Sequence, residues 1–158
     1  VAAFPVFKTI TLGLCDSTKA YRKALEHAGF RISDWASDIL NKIKISSNQV
    51  QLDLVKVTVA DLGFKEAARY DQICARAKEL GLELCPAEVG PVLRLAYPDQ
   101  PYSEWLRVAM EPITGSDGYL GIFGVGHDDD GQWLGSKDGG PDNFWHPDTV
   151  WLFVLPRK

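Results

Sequence analysis

Cysteine is scarce in this chain of 158 residues: there are three, Cys15, Cys74 and Cys85, with no Cys-x-x-Cys spacing. An odd, unevenly spaced set does not make a disulfide framework, and it fits a reducing, cytoplasmic compartment. No apolar run approaches the roughly 20 residues that a membrane-spanning helix needs. A basic excess is missing too, since 17 Lys and Arg face 21 Asp and Glu for a net charge of −4. That balance counts against nucleic acid as a partner and against anionic membrane surfaces, because both demand a basic footprint. Glutamate stops at Glu111, which removes the EF-hand calcium pattern with its closing glutamate.

What is present is concentrated in the last third. Between Pro112 and Pro156 lie seven aspartates, one base (Lys137), nine of the 14 glycines and three of the five tryptophans. Short acids beside glycine are turn chemistry, and Trp, Phe and Val alternating between them are strand chemistry. The block predicts an antiparallel meander with acidic loops.

The remainder mixes periods. Phe7 to Leu12 and Val50 to Val59 alternate as strands, with Gly13 ending the first. Asp16 or Ser17 caps a helix carrying Tyr21, Ala24, Leu25 and Ala28, which Gly29 stops. A second helix starts at Ser33 and is expected to bury Trp35, Ala36, Ile39, Leu40 and Ile43. Phe64 to Leu80 has helical spacing through Ala67, Tyr70, Ile73, Cys74, Ala77 and Leu80, closed by Gly81. Val92–Tyr97, Trp105–Ile113, Tyr119–His127, Gln132–Ser136 and Val150–Leu155 follow as strands, with Asp130-Gly131 as a tight hairpin. With no repeat and no linker, the expectation is one domain over residues 1–158, of class α+β: an N-terminal strand and helices packed on a mainly antiparallel C-terminal sheet.

Residues 80–97, Leu-Gly-Leu-Glu-Leu-Cys-Pro-Ala-Glu-Val-Gly-Pro-Val-Leu-Arg-Leu-Ala-Tyr, resemble a stretch shared by a family of small bacterial proteins. The resemblance extends to Ile32-Ser33-Asp34-Trp35, to Met110-Glu111-Pro112-Ile113 and to Ser116-Asp117-Gly118-Tyr119. It implies a compact bacterial domain and brings with it no activity, ligand or catalytic residue.

Catalytic signatures are thin. Cys15 sits between a strand and a helix, where a helix dipole favours thiolate, but Asp16 beside it repels a phosphate and position 21 is tyrosine where a phosphatase needs arginine. Cys85 and Glu88 can be written as nucleophile and base, yet Pro86 and Gly90 mark a turn first. Neither a cofactor fingerprint nor a metal-ligand spacing is present, so no cofactor and no metal are expected.

The sharpest candidate comes from alternation. With Leu93, Leu95 and Tyr97 on one face of their strand, Arg94 falls on the other; with Leu106, Val108 and Met110 inward, Trp105, Arg107 and Glu111 face outward. If those strands neighbour Tyr119–His127, then Arg94, Arg107, Glu111 and His127 gather on one sheet face. Two arginines there can hold an anion, with Glu111 orienting it; solvated cross-strand ion pairs are the alternative. Trp145, in Asn143-Phe144-Trp145-His146-Pro147, is expected in an exposed loop, so that Phe144 and Trp145 form an interface patch. These features point to a cytoplasmic binding or accessory module for a protein or a small polar ligand, with a homodimer admitted. The competing reading is a small hydrolase or transferase using Glu111 and His127, with Arg94 and Arg107 as anion clamps.

Overall fold

The computed structural model describes residues 4–157. In chain order its elements are β1 (Lys8–Leu12), α1 (Thr18–His27), β2 (Arg31–Ile32), α2 (Asp34–Leu40), β3 (Val50–Thr58), β4 (Ala68–Arg69), α3 (Tyr70–Glu79), α4 (Val89–Ala96), β5 (Trp105–Val108), β6 (Ile113–Thr114), β7 (Leu120–Asp128), β8 (Gly131–Asp138), β9 (Phe144–Trp145) and β10 (Val150–Leu155). Seven strands run side by side in the order β1-β3-β10-β5-β7-β8-β2; β6 joins through β7, and β4 with β9 makes a separate ribbon. Among the described pairings in the main sheet, only β10–β5 and β2–β8 are parallel. The class is α+β with a mainly antiparallel sheet, and the N-terminal strands β1 and β3 are built into that sheet.

Local chemistry explains most boundaries. The Ser17 and Ser33 hydroxyls accept from the backbone N–H of Ala20 and Ala36 and start α1 and α2. On α2, Ala36, Ile39 and Leu40 are buried, whereas Trp35, expected inside, is 52% exposed. One residue is about 100° of helix, so Trp35 turns off the apolar stripe and sits edge-on to Tyr119, ring centroids 4.1 Å apart. Helix α3 begins six positions later than its spacing predicts. Ala68 and Arg69 pair with β9, and the N–H groups of Tyr70 and Asp71 donate to Asn143 and Pro141 carbonyls.

The main departure is α4. Val92–Tyr97 was expected as a strand, but Val89–Ala96 is a helix whose residues from Val89 to Arg94 are all buried. A short, uniformly apolar run reads alike in both periods. Pro91 lies in the first helical turn, where a missing N–H costs nothing. Gly90 lets the helix backbone lie on Phe123: a Cβ there would come within 2.5 Å of the ring. The sheet curls around this helix, which packs on β1 from one side and on β7 and β8 from the other.

Each end of α4 carries a buried charge. Glu88, at the N-cap, accepts from the N–H of Gly13 at 2.7 Å, from the N–H of Ser46 at 2.8 Å and from the Tyr21 hydroxyl. Arg94, in the last turn, is 0% exposed. Its guanidinium donates to the carbonyls of Tyr97, Gly126 and Trp133 and to the side chains of Gln100 and Gln132, and rests on the Phe30 ring. Burial pulls its pKa down to about 10, so it stays charged at neutral pH.

Arg94→Met should therefore cost about 3–5 kcal/mol, because it strips several buried acceptors of their donor. Arg94→Lys should not rescue, since an ammonium cannot reproduce the planar fork. Urea denaturation of both variants checks this.

Candidate functional site

The four residues nominated by alternation do not converge. Arg94 belongs to a helix and is consumed in the network above, not displayed on a sheet face. His127 touches that network at one remove, with Nδ1 2.8 Å from the Gln100 carbonyl, and its ring meets Tyr102 edge-on at the acidic β7–β8 turn. Glu111 is not on a strand. Trp105–Ile113 breaks after Val108, because the Tyr70 hydroxyl takes both the N–H and the carbonyl of Met110, and Pro112 follows without an N–H. Glu111 thus lies exposed in the gap before β6. Among the described residues Glu111 has no ion pair with either arginine, and His127 reaches Arg94 only through Gln100, so the four do not form one acid–base set.

Arg107 does stand on a sheet face, in different company. Register puts Trp105 opposite Gly126 and Gly126 opposite Trp133, while Arg107 faces Gly124 and Gly124 faces Gly135. Directly opposed residues share a face. The indole of Trp105 lies across the glycines: a Cβ on Gly126 would be 2.1 Å from the ring, and one on Gly135 would be 3.2 Å away. The Lys137 stem passes over Gly124, which a Cβ would meet at 3.5 Å. Three cations lie against three tryptophans: Lys137 is 4.4 Å from the Trp105 ring centroid, Arg107 5.3 Å from Trp145 and Arg31 5.4 Å from Trp133.

Arg107 and Lys137 meet no carboxylate within ion-pair distance among the described residues. Burial lowers the pKa of both, and the Arg107 charge lowers that of Lys137 further. Arg107 Nε and Trp145 Nε1 are buried and have no acceptor. The structure therefore brings together two residues picked from sequence, Arg107 and Trp145, and adds Lys137. Lys137 was legible as the single base of its region, and the alternation Trp133, Gly135, Lys137 set it on the glycine face. Trp145 is not an exposed loop residue. It is half-buried in β9 opposite Ala68 and edge-on to Trp151 at 5.3 Å, while Phe144, in the same strand opposite Arg69, is 61% exposed.

Glu111 borders a separate cavity of about 470 Å³ between α3 and the Met110–Pro112 segment. Tyr70, Cys74 and Lys78, one helical face of α3, form one wall. Burial pushes the Cys74 thiol up to about 11. Cys85, next to Pro86, is fully buried with its thiol toward the Leu152 carbonyl, so Cys85 and Glu88 are not a nucleophile and its base. None of the three cysteines is bridged. Among the described residues no group of three or more His, Cys, Asp or Glu is placed to hold a metal ion, and no helix is long and apolar enough to cross a membrane. No protein-family model, curated protein or solved structure matches the chain.

Two outcomes follow. Gly126→Ala should leave the fold intact but lift the Trp105 ring, seen as red-shifted, more quenchable tryptophan fluorescence. Folded Cys74 keeps its proton at a pH where the unfolded thiol, near 9.0, has lost it. Stability should thus fall as pH rises from 9.0 towards about 11, and Cys74→Ser should shallow that decline in alkaline melting curves.

Proposed function

We propose that this chain is a binding module whose recognition surface is the open face of β5, β7 and β8, taking the carboxylate or phosphate of a small polar ligand or of a protein partner. One observation carries the reading: two neighbouring, partly desolvated cations, Arg107 and Lys137, have no carboxylate within ion-pair distance among the described residues. Like charges held together out of water work against folding, and a bound anion would relieve them. Trp105, lying across the glycines with the Lys137 ammonium over its ring, makes the apolar edge of the charge pair. The overall net charge of −4 supports a discrete anionic group over a nucleic-acid backbone. Three unbridged thiols support a cytoplasmic setting. The exposed Phe144 beside the half-buried Trp145 supports a protein neighbour at the rim, a second copy included.

The test is a thermal-shift screen of anionic metabolites, with phosphate and citrate as reference anions, on wild type, Arg107→Met and Lys137→Met. Without ligand, Lys137→Met should melt at or slightly above wild type, by about 2 °C, because a like charge is gone while the apolar stem remains. A ligand that raises the melting temperature of wild type alone supports the site. Equal shifts in all three proteins, or none in any, discard it.

A further inference from the structure

We propose that the cavity between α3 and the Met110–Pro112 segment binds a small zwitterion with an apolar body, of which an apolar amino acid is the simplest. The site does not depend on the sheet face above. Its volume of about 470 Å³ falls within the roughly 300–1,000 Å³ typical of small-molecule sites.

The floor sets the ligand's body. Tyr70, Leu84, Met110 and Leu120 offer apolar surface, and the polar atom among them is already engaged. The Tyr70 hydroxyl donates to the Met110 carbonyl at 2.5 Å and accepts from its N–H at 2.9 Å. A sugar or a nucleobase would bury hydrogen-bonding groups there without partners, whereas a hydrocarbon or phenyl group loses nothing.

The rim sets the ligand's charges. Asp71 is paired with Arg69 at 3.0 Å. That leaves the side chains of Lys78 and Glu111, neither of which has an ion-pair partner among the described residues. Both line the same cavity as Cys74. A ligand carrying a carboxylate and an ammonium satisfies the two together. A simple fatty acid or a simple amine would satisfy one and meet like charge from the other.

Cys74 provides the readout. Its alkylation by iodoacetamide at about pH 8.5 is followed by peptide mass spectrometry with and without phenylalanine. Phenylalanine should slow alkylation by about fivefold when it is in excess over its dissociation constant. Phenylalaninamide, which lacks the carboxylate, and N-acetylphenylalanine, which lacks the ammonium, should protect weakly. Lys78→Met and Glu111→Gln, both surface changes that should melt like wild type, should lose the protection. No slowing by phenylalanine, equal protection by the amide, or full protection in both variants would overturn the proposal.

Discussion

A buried helix with a fixed charge at each end is the constraint on which the rest of this structure depends. Glu88 draws the β1–α1 loop, α1 and the segment before β3 onto the N-terminus of α4. Arg94 draws the chain after α4 and the β7–β8 hairpin onto its C-terminal end. The acid sits at the positive end of the helix dipole and the base at the negative end, so each charge gains from the backbone as well as from its partners. Hydrophobic burial alone would let the helix slide or rotate within the curled sheet. Directional bonds to named carbonyls and amides select one register.

The open face obeys the opposite logic. Arg94 gives its two terminal nitrogens to five acceptors, while Arg107, on the strand that follows, sits beside a second cation with no carboxylate in reach among the described residues; the Nε–H of both is buried without an acceptor. Glycines at 124, 126 and 135 remove the side chains that would have covered the sheet there and let tryptophan and the lysine stem lie on the backbone. A protein selected for stability alone would fill such a floor or pair its cations. Unpaired cations of this kind cost stability that the rest of the fold must offset, and the Arg94 bonds behind the same hairpin are one source of it.

Legibility from sequence followed physical rules. Val50–Thr58 was readable because its alternation is a strong signal, and Val150–Leu155, a continuous apolar run, because its residues are mostly β-branched and aromatic. Ser17 and Ser33 announced their helices, and Asp130-Gly131 its hairpin. Val89–Ala96 was not readable, since a segment buried on every side has no polar face from which to take a period. That ambiguity displaced Arg94 from a core network to an imagined surface, and the unforeseen break after Val108 removed Glu111 from the same face. Arg107 kept its place on a sheet strand, β5, whereas Trp145 moved from an expected loop into β9, where it meets Arg107. Lys137 was visible in composition but not in role, because a cation's lack of partners is a property of three-dimensional packing.

The place of β10 has a consequence for how the chain is made. The last strand of the sequence is inserted between β3 and β5, near the middle of the sheet. During synthesis, β1 with β3 and β7 with β8 can pair as soon as each leaves the ribosome, but the two halves have no shared strand until Val150–Leu155 emerges. Until then the edges of β3 and β5 stand open, and open edges recruit other chains.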